Sequence, residues 1–243
     1  MRRYFFMSQE SRKKAAEAKA AAELKARVMK KAGIVTTVVV LLIALVIGGI
    51  TYFNRPRVIA PEDYPIVKMN VQNYGTITIE LYPNEAPNTV RNFIELVENG
   101  FYDGLEIPRV CENFVLQMGS PSNTLNGGPG WTIKGEFEYN GFKKNTIKHE
   151  AGVLSMARGS DPDSAGSQFF ICAGTNKSVS SLDGLYAGFG KVIDGLDIVI
   201  AISKVDHDNS ISAGGGTPYE KIIVTSMTVD TKGINYPAPK KIR

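Results

Sequence analysis

The run Ser164-Ala165-Gly166-Ser167-Gln168-Phe169-Phe170-Ile171-Cys172 joins a small-residue loop directly to an apolar, β-forming tetrapeptide, with Gln168 at the junction. Side chains alternate across a strand, so Phe169 and Phe170 are expected on opposite faces, one ring toward a core and the other toward a pocket. Outward from this run lie Gly152-Val153-Leu154-Ser155-Met156-Ala157-Arg158 upstream, and Leu182-Asp183-Gly184 and Phe189-Gly190-Lys191-Val192 downstream. Earlier in the chain, residues 66–71 and 76–81 read as strands around the hairpin signal Asn73-Tyr74-Gly75. Pro87 opens a helix with Val90, Phe93, Ile94 and Val97 at i, i+3, i+4 and i+7, and Gly100 ends it. Residues 109–117, a glycine-rich loop at 126–130, a strand at 189–193, a short helix near Leu196–Ser203 and a last strand at 222–229 follow. Many short strands with only two short helices predict a mainly β fold, a closed antiparallel barrel.

The charge of this 243-residue chain is unevenly placed. Residues 1–31 hold ten Lys/Arg against three Asp/Glu, whereas the remaining residues hold 18 against 21. The basic pI of about 8.9 therefore describes a tail, and it argues against a nucleic-acid partner for the globular part. Cys111 and Cys172 lie in apolar runs and read as core thiols. With only His149 and His207 elsewhere, at unrelated spacing, no metal site is expected, and no cofactor motif is present.

Residues 33–53 carry no charge and are dominated by Ile, Val and Leu. At 1.5 Å per residue such a helix spans the roughly 30 Å hydrocarbon layer, and the 31 basic-rich residues before it argue for an uncleaved signal anchor. The ten basic residues on the N-terminal side, against Arg55 and Arg57 beyond, predict a cytosolic N-terminus. The chain divides into a cytosolic Ala/Lys-rich helical segment (1–32), a transmembrane helix (33–53), a proline-bearing linker (54–65), a domain (66–230) and a flexible tail (231–243). Asn176-Lys177-Ser178 is a glycosylation sequon that a lumenal domain would expose, so Asn176 is a candidate glycan site.

No nucleophile with a base is discernible, because neither histidine has the context of a triad. Prolyl isomerisation suits such a composition. An X-Pro bond turns in tens to hundreds of seconds unaided, and localising the prolyl nitrogen's lone pair removes the double-bond character that sets this barrier. A guanidinium aimed at that nitrogen does so beside an apolar pocket for the ring. A 10⁵-fold acceleration needs about 7 kcal/mol, more than the roughly 1.5–3 kcal/mol of one charged hydrogen bond, so positioning and desolvation must supply the rest.

In order and spacing, the words around the Phe169-Phe170 pair resemble the cyclophilin family of peptidyl-prolyl isomerases, over about residues 64–230. The resemblance implies eight strands in a closed barrel capped by a helix at each end. It also implies Arg109 as the catalytic arginine and Phe114, Val115, Phe170 and Leu182 as walls of a proline pocket. Gln117 would orient the arginine, and Ala157, Arg158 and Gln168 would bind the residues before proline, with Tyr186 at the pocket edge. Proline-containing peptides and client proteins are the implied partners, besides the membrane.

Several positions depart from the family pattern. Ile107-Pro108 stand where Phe-His is common, and Pro108, lacking an N–H, is expected to bend the strand that carries Arg109. Val115 replaces a common methionine, Met118 a glycine, Ser181 a tryptophan that typically binds cyclosporin, and Tyr186 a histidine. These changes predict reduced activity and weak cyclosporin binding, and they leave open a second reading, a membrane-anchored module that binds proline peptides with little turnover. A type II anchor before a lumenal cyclophilin-like domain resembles the plant Golgi-type cyclophilins, which favours the Golgi over the endoplasmic reticulum.

Overall fold

A computed structural model of the chain describes residues 9–53, 58–211 and 214–242, which form two compact units divided after residue 57. The first unit is one helix, α1 (Gln9–Phe53), so the basic stalk and the apolar segment are continuous. No proline interrupts it, and the hydroxyls of Thr36 and Thr37 donate back to the carbonyls of Ala32 and Gly33 at 2.9 and 3.0 Å, which satisfies them inside an apolar stretch. Described side chains such as Leu41, Ile43 and Leu45 are exposed, the last at 72%. By length and composition, this helix is long and apolar enough to cross a membrane.

The second unit opens with the hairpin β1 (Ile66–Val71) and β2 (Gly75–Leu81), whose turn places Asn73 at φ 65°, a left-handed conformation that Asn tolerates. Next come α2 (Pro87–Glu98), β3 (Arg109–Cys111), β4 (Val115–Met118), β5 (Thr132–Ile133), β6 (Val153–Met156) and β7 (Phe169–Cys172). A single turn, α3 (Lys177–Ser180), precedes β8 (Ala187–Asp194), α4 (Leu196–Ser203), β9 (Val224–Asp230) and β10 (Lys241–Ile242).

Eight strands form one antiparallel sheet in the order β3-β4-β7-β6-β8-β2-β1-β9. The sheet is curled, a half-barrel of eight strands with β3 and β9 as its end strands. Backbone bonds link the segment before β3 to the start of β9 and the residues just before it: Gly104 N donates to Val224 O at 2.8 Å, Val224 N to Leu105 O at 2.9 Å and Ile107 N to Ile222 O at 2.9 Å, around an isolated bridge between Glu106 and Ile223. Register slips at Asn70/Val71, Thr78/Ile79 and Leu154/Ser155 bend the sheet on itself.

The apolar face of α2 is buried, and Phe93 meets Phe169 and Phe189 edge-on with centroids 5.1 Å apart in both pairs. Tyr102 joins this knot at 5.3 Å from Phe93 and donates its hydroxyl to Ser167 O at 3.0 Å, which pins the loop ahead of β7. Gly119, at φ 93°, lies under the same loop, where a Cβ would come within 2.5 Å of Ser167 O. Alternation along β7 thus places Phe169 and Ile171 in the main core, and Phe170 and Cys172 in a second cluster with Val115 and Val153. Both cysteines are free thiols, and burial pushes Cys172 up to about 12.

Two expectations need revision. Residues 231–242 are not a loose tail: β10 pairs with β5, and Asn88 bonds both the N–H and the carbonyl of Lys240, at 2.7 and 3.1 Å. Their partners lie about 100 residues or more away in the chain, so no local pattern announces them. Pro108 does not bend β3, because it stands just before the strand and β3 pairs regularly with β4 from Arg109↔Gln117 to Cys111↔Val115.

Candidate active site

Strand register builds the site. Arg109 is paired with Gln117, Gln117 with Phe170, and Phe170 with Ser155, so these four side chains form one row on the sheet face opposite the main core. Arg109 is 8% exposed, and its guanidinium is held on both edges. Nε and Nη2 donate to Gly214 O at 3.1 and 3.0 Å, and Nη1 donates to Gln117 Oε1 at 3.0 Å. Gln117 Nε2 then donates to Gln168 Oε1 at 3.1 Å, and Gln168 Nε2 to the carbonyls of Leu125 and Gly127 at 3.1 and 2.9 Å. Each donor fixes the next, so the cation's orientation is set by a chain running into the 125–127 loop.

Burial lowers the Arg109 guanidinium from its ordinary value, against upward pulls from Cys111 and Tyr186. An arginine starts so high that it stays a cation. Partial desolvation makes that charge more effective toward a substrate dipole.

The cation borders a cavity of about 400 Å³ lined by Phe114, Val115, Gln117, Ala157, Arg158, Phe170, Leu182 and Tyr186 as well as Arg109. The Phe114 ring lies 5.8 Å from the guanidinium carbon. Phe170 forms a wall, edge-on to Tyr186 at 5.6 Å. Gln168 is absent from this lining and borders a second cavity of about 380 Å³, which also takes in Gln117, Ala157 and Arg158. Asn176 belongs to neither; its carbonyl oxygen caps α3 by accepting from Ser178 N and Val179 N, and its amide donates to Asn113 O at 2.7 Å.

Sequence reading missed four contributors. Leu125 and Ile211 line the first cavity, Trp131 lines the second, and the Gly214 carbonyl holds the arginine. Leu125 and Ile211 stand alone in polar loops, and a backbone carbonyl carries no side-chain signal. Met118, by contrast, points into the main core and does not touch either cavity.

Among the described residues, no carboxylate, imidazole, thiol or serine lines the first cavity. The cavity thus sets a fixed guanidinium beside an aromatic notch, without a proton-transfer pair. The chain belongs to the cyclophilin family: the family model described as cyclophilin type peptidyl-prolyl cis-trans isomerase/CLD matches residues 66–229. Its enzyme class is accordingly peptidyl-prolyl cis-trans isomerase. Among its relatives, peptidyl-prolyl cis-trans isomerase B of Bacillus subtilis is 47% identical over 145 residues, covering 60% of this chain and 95% of that protein. A Synechococcus elongatus isomerase is 40% identical over 138 residues, covering 57% of this chain and 88% of the other. A Cryptosporidium parvum cyclophilin solved in the presence of the dipeptide Ala-Pro superposes with a TM-score of 0.58 at 30% identity, over 68% of this chain and 98% of that one.

Proposed function

We propose that residues 66–230 seat a proline ring against Phe114, Val115, Phe170 and Leu182, and that Arg109 donates toward the prolyl nitrogen as the X-Pro bond turns. The observation that carries this is the two-sided grip on the guanidinium by Gly214 O and Gln117 Oε1, which directs the cation to the cavity rim. A preorganised donor need not be reoriented when the nitrogen becomes pyramidal, which lowers the barrier without a covalent step. Ala157, Arg158 and Gln168 would take the residues before proline, consistent with the second cavity beside the first. Val115 makes this wall stiffer than methionine would and restrains turnover.

The alternative, a binding module with little turnover, drew on Pro108 and Met118. Pro108 stands outside β3 and Met118 in the core, which favours the enzyme. NMR exchange on an Ala-Pro peptide tests this: cross-peaks between cis and trans that strengthen with protein support it, and binding shifts without faster exchange select the module.

We propose further that residues 33–53, the apolar part of α1, are a signal anchor, leaving residues 1–32 cytosolic and the catalytic domain in the Golgi lumen, where its clients are secretory proteins. The basic flank before an uncharged, exposed helix supports this orientation. A glycosidase-sensitive mobility shift lost in Asn176→Gln would agree with a lumenal domain, and digestion of that domain by protease added to sealed vesicles would reverse the topology. Cyclosporin should bind weakly, since Ser181 offers no indole and turns its hydroxyl to Ser178 O at 2.7 Å; low-nanomolar binding by calorimetry would contradict this.

A further inference from the structure

Arg158 stands where the two cavities meet, since both linings include it along with Gln117, Leu125 and Ala157. Its guanidinium is fixed without any carboxylate. Nε and Nη2 donate to Leu185 O at 3.1 and 3.0 Å, Nη1 donates to Gly159 O at 2.9 Å, and the group lies 4.7 Å from the Tyr186 ring centroid and 5.1 Å from that of Phe137. Carbonyls and aromatic faces orient a cation but do not neutralise it. Two of its five N–H groups, one on each terminal nitrogen, remain for a ligand.

The surroundings keep the charge uncompensated. Among the described residues no aspartate or glutamate lines either cavity, whereas Arg158 lines both and Arg109 the first. The carboxylates of the following loop are engaged elsewhere: Asp163 accepts from Gly135 N at 3.0 Å and from Asn140 Nδ2 at 2.7 Å, and Asp161 accepts from Asp163 N at 2.9 Å. Among the described residues, none forms an ion pair with Arg158. A peptide that seats proline in the first cavity must cross this positive junction on its way to the second.

We propose that Arg158 is a specificity residue that selects substrates with an aspartate or glutamate among the two residues preceding proline; this rests on the isomerase reading above. An acidic side chain there would meet an already oriented guanidinium, whereas a lysine would meet a like charge at a cavity wall.

The test uses the full chain in nonionic detergent and peptides with Glu, Ala or Lys placed either one or two residues before proline. At low salt, kcat/KM for the Glu peptide should exceed that for Lys by about fivefold or more at one of the two positions, the range of a partly exposed charge pair. The ratio should approach one near 1 M salt, where the screening length is about 3 Å. Arg158→Gln should bring it within about twofold at low salt, and Arg158→Lys should retain a preference for Glu. Equal rates for all three peptides in the native protein would overturn the proposal, as would a preference that survives in Arg158→Gln, which would belong to Arg109. Absent turnover of every peptide, the Ala series included, would instead strike the isomerase reading itself.

Discussion

The imidazole of His149 stacks on the ring of Phe170, with centroids 6.1 Å apart and planes 24° from parallel. Its nitrogens are both engaged: Nε2 lies 2.9 Å from Ser155 Oγ, and Nδ1 lies 3.1 Å from Asp183 Oδ1. The order Asp-His-Ser is that of a hydrolase triad, yet Ser155 is wholly buried and His149 is 4% exposed, so no acyl group can reach the hydroxyl. The arrangement is a polar buttress behind the pocket wall, and Asp183 adds a bond to His149 N at 2.7 Å and an ion pair to Lys148 at 3.3 Å.

His149→Phe should keep the stack and lose the hydrogen bonds of the ring. The Ser155 hydroxyl would then be buried without its partner, and the expected loss is about 1–3 kcal/mol of stability, read from chemical unfolding. A loss below about 0.5 kcal/mol would show that the buttress is fortuitous.

Burial holds the His149 imidazole below its ordinary range, outweighing the upward pull of Asp183. The unfolded chain, with histidine near 6.5, therefore takes up the proton first as pH falls. Stability from this residue is complete above about pH 6.5 and is lost below it, until the folded-state value is passed. Glu136 works in the opposite sense: burial raises it despite bonds from Asn88 and Thr89, so acid favours its folded form. The difference in stability between the native chain and His149→Phe, followed between about pH 5 and 7, isolates the histidine and should shrink toward the acid end. A difference independent of pH would refute the assignment.

Arg109→Ala should lower kcat/KM for an X-Pro peptide by about a hundredfold or more, the scale for removing a preorganised donor. Arg109→Lys should recover little, because an ammonium cannot span Gly214 O and Gln117 Oε1 and still present an N–H to substrate. Exchange spectroscopy at matched protein concentration measures both, with near-ultraviolet circular dichroism checking the fold. Full activity in the lysine variant would mean that charge alone suffices and the grip is irrelevant.

How far the sequence foretold this site follows from the range of each interaction. The opposite facing of Phe169 and Phe170 was legible because strand alternation is local. Arg109, Phe114, Val115 and Gln117 were named through the family resemblance alone; the turn that returns β4 along β3, and makes a spacing of eight a cross-strand pair, was not read from the sequence. The grip from Gly214, 105 residues beyond Arg109, was not legible either, since it depends on where a loop's carbonyl comes to rest. How the two ends of the sheet meet, through the bonds of Gly104, Leu105 and Ile107 to Val224 and Ile222, was also hidden, because the short-strand pattern does not specify which strands are the ends.

The chain's return at Lys241 was equally invisible, and it yields the sharpest optical test. The Lys241 ammonium lies 3.7 Å from the ring centroid of Trp131, the only tryptophan, and pairs with Glu95 at 2.5 Å. Trp131 also donates its indole N–H to Asn92 Oδ1 at 2.9 Å, while Asn92 Nδ2 donates to Gly166 O at 2.7 Å, so the tail braces a wall of the second cavity. Lys241→Ala should shift tryptophan emission to the red by admitting water over the ring, and should cost about 0.5–1.5 kcal/mol, since both contacts are partly exposed. Lys241→Arg should preserve both the emission and the stability, because a guanidinium can stack on indole and pair with a carboxylate at once. If the alanine variant keeps its native emission, the ammonium does not cover the indole in solution, and the strap ends short of the cavity wall.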